Sequence, residues 1–200
     1  MWENVVENSI DNHNSIKNNN QTNAITMKTT NLIKVSFFLL ILSNNVLSQN
    51  FKTVKISNKI WMSENLNIEV PGSWCYDNNP DNCKKYGRLY TYEAAIKNCP
   101  KGWHLPSDQE WAELINEFGG EDVAGKELKL KGKSGFNALL AGSRVPMGSF
   151  GLIGTYGCFW SSTKYDKTHA WYRYITDQND YIIRTYFTIT YGFSVRYVKD

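Results

Sequence analysis

Three groups of side chains in this 200-residue chain have types and spacings that could do chemistry. The stretch CPKGWHLPSDQEW, residues 99–111, brings together Cys99, His104, Asp108 and Glu110. A thiol, an imidazole and two carboxylates are the ingredients of a nucleophile–base pair or a metal site. DNNPDN, residues 77–82, offers the Asp and Asn oxygens that a hard cation such as calcium prefers. The four cysteines, at 75, 83, 99 and 158, could cross-link the chain or ligate a metal.

None of the three completes the pattern its chemistry requires. No two cysteines are separated by two to four residues, and His104 and His169 are the only histidines after residue 48, so zinc is disfavoured. DNNPDN lacks the Gly and the twelfth-position Glu of an EF-hand. Gly-x-Ser-x-Gly, His-Glu-x-x-His, Gly-x-x-x-x-Gly-Lys-Ser/Thr and Gly-x-Gly-x-x-Gly are also missing. The expectation is a non-catalytic protein without a metal or cofactor.

The same residues make sense as structural devices. Ser107 and Glu110 spell a capping box, and Pro106 favours an extended approach to it. Trp111, Leu114, Ile115 and Phe118 then recur on one helical face, and Gly119-Gly120 ends the helix. Asp108 and Glu110 complement the positive end of its dipole. A second helix is predicted after Thr91, with Glu93 in its first turn and Asn98–Gly102 as its stop. Cys75 and Cys83 bracket a run of turn formers, which predicts a local disulfide. Alternating Val54 and Ile56 suggest an entering strand, and FWSST, HAWYRYIT, YIIRTYFTIT and YGFSVRYV read as an antiparallel tail. Between them, residues 121–159 carry glycines too frequent for a long helix or an uninterrupted strand, and read as a large looped insertion. The fold class is therefore α+β.

The front of the chain is of a different kind. Residues 1–26 are Asn-rich and lack apolar clusters, so they are expected to be disordered or not translated. From Met27, two lysines, the run VSFFLLIL and Val46-Leu47-Ser48 have the layout of a signal peptide over 27–48. Residues 49–200 would then be one exported domain, secreted or at the cell surface, with no membrane span after signal removal and with cysteines free to oxidise. A formal charge of +3 without a basic run excludes nucleic acid as the expected partner.

IWMSENLN (60–67), SWCYDNNPDNCKKYGRLYTYEAA (73–95), CPKGWHLPSDQEWAEL (99–114), FNALLAG (136–142), FWSST (159–163) and GFSVRYV (192–198) together resemble the Fibrobacter succinogenes major paralogous domain. This is a family of exported bacterial domains whose biochemical role is uncharacterised. More distantly, LPSDQEW and GFSVR are similar to blocks of the formylglycine-generating enzyme group. That resemblance implies a C-type lectin-like fold: two helices, a long irregular loop region and a small antiparallel sheet, with the chain ends paired. Where the family usually ends in SVRC this chain has Tyr197, so Cys99 lacks the partner the resemblance implies. It pairs with Cys158 or stays reduced in the core.

On this reading the protein is an extracellular binding module for a glycan or a surface protein, using the long loop region as its face. Arg144, Tyr156, Tyr165 and Trp171 are the candidate ligand-binding residues, while Trp61, Trp103, Trp111 and Trp160 are expected to pack. The calcium motifs Glu-Pro-Asn and Trp-Asn-Asp of lectins are absent. The rivals are a structural or adhesive surface component and an enzyme related to the formylglycine-generating group. The enzyme would need two reactive thiolates late in the domain, where only Cys158 is found.

Overall fold

The computed structural model describes residues 50–200. The expectations for residues 1–26 and the signal peptide at 27–48 lie outside the described residues. No helix among the described residues is long and apolar enough to cross a membrane.

Two sheets and a short ribbon organise the domain. Strands β1 (Thr53–Ile56) and β2 (Lys59–Met62) form a hairpin. The last strand, β11 (Val198–Lys199), pairs with β2 at Trp61 and with β5 (Trp103–His104). The order β1-β2-β11-β5 therefore joins the two ends of the described chain. The larger sheet contains β6 (Ala141–Arg144), β7 (Phe150–Ile153), β8 (Tyr156–Lys164), β9 (His169–Thr176) and β10 (Ile182–Thr188). Its order is β10-β9-β8-β6-β7, antiparallel except where β6 meets β8. A ribbon of β3 (Ser73–Trp74) and β4 (Leu89–Tyr90) completes the strands. The architecture is mixed α+β, as expected.

Among the described residues there are four α-helices, not two: α1 (Pro80–Tyr86), α2 (Tyr92–Lys97), α3 (Asp108–Glu117) and α4 (Ala124–Leu128). The capping box of α3 forms in both directions. Ser107 Oγ accepts from the Glu110 N–H at 3.2 Å, and Glu110 Oε2 accepts from the Ser107 N–H at 2.9 Å. Thr91 caps α2 by accepting from the Ala94 N–H. Helix α1 begins inside the stapled loop, where Pro80 at the first helical position and the Asn79 cap do a helix's work with turn residues.

Residues 121–159 were expected to be a loop, but they contain α4, β6, β7 and the start of β8. The glycines that suggested breakage are what allow close pairing. Gly142 sits at φ +70°, where a Cβ would strike the Gly151 carbonyl, and it faces Gly157 in the parallel β6–β8 contact. Conversely, YGFSVRYV is regular strand only at Val198–Lys199, and residues before it make single bridges to Tyr90, Arg144 and Phe159.

The long sheet is covered on both faces, and strand alternation decides which residue goes where. On one face Phe159, Ile175 and Ile182 pack under Trp111, Leu114 and Ile115 of α3, with Trp61 and Phe136 in the same cluster. On the other, Cys158, Trp160 and Tyr172 meet Tyr90, Tyr92, Phe193, Val195 and Tyr197. The buried indoles find acceptors: Trp111 Nε1 donates to the Trp160 carbonyl and Trp160 Nε1 to the Tyr90 carbonyl. Trp61, Trp111 and Trp160 are thus packing residues; Trp103 is half-buried against the core and Phe51.

Candidate functional site

The β6–β7 hairpin rises beside the second face of the long sheet and leaves a groove of about 300 Å³. That is the lower end of the range that small-molecule sites occupy, roughly 300–1,000 Å³. Its aromatic surface comes from Phe150, Tyr156, Tyr172, Phe187, Tyr191 and Phe193. Alternation explains the set: Tyr156 and Cys158 on β8, Tyr172 on β9 and Phe187 on β10 all fall on the same face. Rings already pack edge and face within it, with Tyr172 and Phe193 centroids 4.6 Å apart and Phe187 and Tyr191 4.4 Å apart.

No ionised side chain lines the groove. Burial pushes the Cys158 thiol up to about 12 and raises the Tyr172 phenol above its ordinary value, so both are neutral at physiological pH. Tyr156, Tyr172 and Tyr191 bring three phenol side chains to this lining. The arrangement can therefore stack a ring and hydrogen-bond its substituents, but presents no charge to an ion.

The four residues singled out from sequence are divided between two places. Tyr156 lines the groove. Arg144 stands behind its wall, its guanidinium 3.7 Å from the Trp74 ring centroid and 5.7 Å from that of Phe150. It braces a lining residue rather than facing the groove. Tyr165 and Trp171 lie on the opposite face, in an exposed cluster with Tyr186. Tyr165 and Tyr186 stack at 3.8 Å, and Arg184 lies 3.4 Å over Trp171 while its Nε donates to Asp108. Sequence reasoning missed Tyr172, Phe187, Tyr191 and Phe193. The period-2 alternation of HAWYRYIT separates Tyr172 from Trp171, and was the available signal.

The polar side chains of the tryptophan-rich segment are divided between two networks. His104 sits between Glu110 (Nε2, 2.9 Å) and Asp200 (Nδ1, 2.7 Å), whereas Asp108 turns away to Arg173 at 2.6 Å and Arg184 at 2.9 Å. Burial works against the Glu110 carboxylate, yet hydrogen bonds from Ser107, His104 and Lys59 outweigh it and hold Glu110 down to about 2. In DNNPDN, the Asn79 side-chain oxygen is committed to the α1 cap and Asp81 pairs with Lys84. Cys75 and Cys83 form the expected disulfide. Cys99 and Cys158 are free thiols, so of the two alternatives the reduced one is found. The Cys99 thiol donates to the Trp103 carbonyl. At Tyr197, where the family's cysteine was expected, a buried phenol donates to the Ala95 carbonyl at 2.6 Å and ties α2 to the chain end.

Neither the curated proteins nor the solved structures include a match to this chain. The Fibrobacter succinogenes major domain family does match, over residues 54–199, the whole stretch from β1 to β11 that builds the sheets and the groove. The chain therefore belongs to the Fibrobacter succinogenes major domain family.

Proposed function

We propose that the protein is an exported, non-catalytic binding module of C-type lectin-like architecture, and that its aromatic groove holds an uncharged glycan. The observation that carries this reading is the aromatic lining without an ionised side chain, three of whose rings are tyrosines. Aromatic rings stack on the apolar faces of sugars, and a few hydroxyls fix orientation. The paired chain ends, the two-faced sheet and the hairpin wall from the long loop region support the lectin-like comparison. The non-catalytic part rests on the thiols: Cys158 is buried and protonated, and Cys99 is pushed up to about 12, chiefly by burial and then by Asp200.

The test is a glycan array probed with the full protein, with and without chelator, beside Tyr156→Ala and Tyr191→Ala. Binding of neutral oligosaccharides that survives chelation and is lost in both variants is the expected result. Absence of binding, or binding indifferent to both substitutions, overturns the reading.

A further inference from the structure

Arg88 follows the stapled loop and turns its guanidinium back onto the bridge, with Nη1 3.4 Å from Cys75 Sγ and 3.5 Å from Cys83 Sγ. The residue is fixed there from three other directions. Its backbone N–H donates to the Leu66 carbonyl at 2.9 Å, Nε donates to Ser73 Oγ at 3.1 Å, and Nη2 pairs with Glu69 at 3.3 Å. The Arg88 side chain is 11% exposed, whereas that of Glu69 is 83% exposed and, screened by water, offsets little of the charge.

A closed disulfide gains little from this cation, because its neutral sulfurs are weak acceptors. A thiolate gains far more, since a hydrogen bond with an ionised partner is roughly twice as strong as a neutral one. The donor therefore suits the bridge once it has opened, and its anchors hold it in place as the sulfurs part. The two sulfurs differ in access. Cys83 is buried in α1, while Cys75 is partly exposed in the extended segment ahead of it. An incoming nucleophile thus meets Cys75, and the sulfur that leaves is that of Cys83, beside Nη1. The nucleophile must come from outside, because burial keeps the free thiols of Cys99 and Cys158 protonated.

We propose that Cys75–Cys83 is a reversible thiol-exchange site, opened by an external low-molecular-weight thiol, with Arg88 holding the released thiolate. The thiolate of the reductant attacks Cys75 Sγ and forms a mixed disulfide, while the bond to Cys83 breaks and its electron pair stays on Cys83 Sγ. A second reductant thiolate attacks the reductant sulfur of the mixed disulfide and releases Cys75 as a thiolate. Two electrons enter the protein, and two reductant thiols leave as one disulfide. The bridge also stands behind the groove wall. Tyr76, next to Cys75, is buried with Leu89 and Ala141, and its ring centroid lies 5.3 Å from that of Phe150, which lines the groove. Opening the bridge frees the loop that carries Tyr76 and loosens the support of the β6–β7 hairpin, whatever the groove binds.

The experiment equilibrates the full protein with mixtures of reduced and oxidised dithiothreitol, traps the thiols by alkylation and reads the open fraction by mass spectrometry, beside Arg88→Met and Arg88→Lys. Arg88→Met should need a ratio of reduced to oxidised dithiothreitol about tenfold higher to open half of the bridges, a shift of about 30 mV for this two-electron couple. Arg88→Lys, which keeps the charge, should need less than Met. An Arg88 that only braces the loop predicts the reverse order, because a loosened loop opens more readily. In the wild type, reduced glutathione followed by a rapid acid quench should leave its adduct on Cys75, and opening the bridge should quicken amide hydrogen exchange in β7. A Met variant that opens at the wild-type ratio or below it, an adduct confined to Cys83, or β7 exchange indifferent to reduction each overturns the proposal.

Discussion

Replacing Arg196 with Met tests how the long loop region is held to the sheets. Arg196 is fully buried, and no carboxylate bonds to it among the described residues. Its guanidinium instead donates to Asn65 Oδ1 at 2.7 Å and to the carbonyls of Met62 at 2.9 Å, Phe136 at 2.6 Å and Asn137 at 2.9 Å, lying over the Phe136 ring. Burial, opposed only by Glu64, pulls its pKa down to about 9, so the group is still charged at neutral pH. Arg196→Met keeps a long unbranched stem but strands these acceptors in the interior, at about 1–3 kcal/mol each. Relief of the buried charge offsets part of that, since desolvating an ion costs several kcal/mol. The net loss should be about 3–5 kcal/mol, a large share of the roughly 5–15 kcal/mol that holds a domain together. At roughly 2–4 °C per kcal/mol for a domain of this size, thermal unfolding followed by near-UV circular dichroism should fall by about 10 °C. Arg196→Lys should lie between, because an ammonium cannot reach all the acceptors arranged around a planar guanidinium. A Met variant melting within about 2 °C of the wild type would refute the idea that this cation clamps residues 136–137 to β2.

Three further outcomes follow from the same geometry. Opening the Cys75–Cys83 bridge, by Cys75→Ala with Cys83→Ala, should cost about 2.6 kcal/mol in urea unfolding, on the entropy of so short a loop; an unchanged midpoint would contradict it. His104 has its pKa raised because hydrogen bonds and attraction from Glu110 and Asp200 outweigh a desolvation that opposes protonation. Its contribution is therefore complete below the unfolded value of about 6.5 and is lost as pH rises through the higher folded value. The stability difference between wild type and His104→Gln should shrink as pH rises above about 6.5, and a difference that grows would reverse the assignment. Finally, both free thiols are held up to about 12, so a disulfide-exchange reagent at about pH 8 should leave Cys158 unlabelled in the folded protein and titrate two thiols once it is unfolded. Stoichiometric native labelling at Cys158 would mean that the groove floor is open.

What could be read from the chain, and what could not, divides by the distance over which each feature is decided. The α3 cap and its apolar face depend on residues three or four positions apart, and they formed as the spacing predicts. Pro80 and Asn79 carry a local signal too, but the same residue types serve turns and helix starts, and only the packing of the stapled loop selects α1. The glycines of 121–159 mislead for a further reason: a glycine weakens a strand considered alone, yet permits one where another backbone must come close, as Gly151 does to Gly142. Arg196 lies beyond any local rule, since its acceptors come from segments about 60 and 130 residues away. The candidate site combines both situations. Alternation along β9 assigns Trp171 to one face and Tyr172 to the other, and that parity is present in HAWYRYIT. Which face becomes a groove depends on what covers each. Helix α3 packs over Ile175 and Ile182 and leaves the Trp171 and Tyr186 end bare. Across the sheet, the β6–β7 hairpin walls in Tyr172 without sealing it. Exposed aromatics chosen from sequence therefore fall on both sides of one sheet, and a concave site arises only where a remote segment stops short of closing over them.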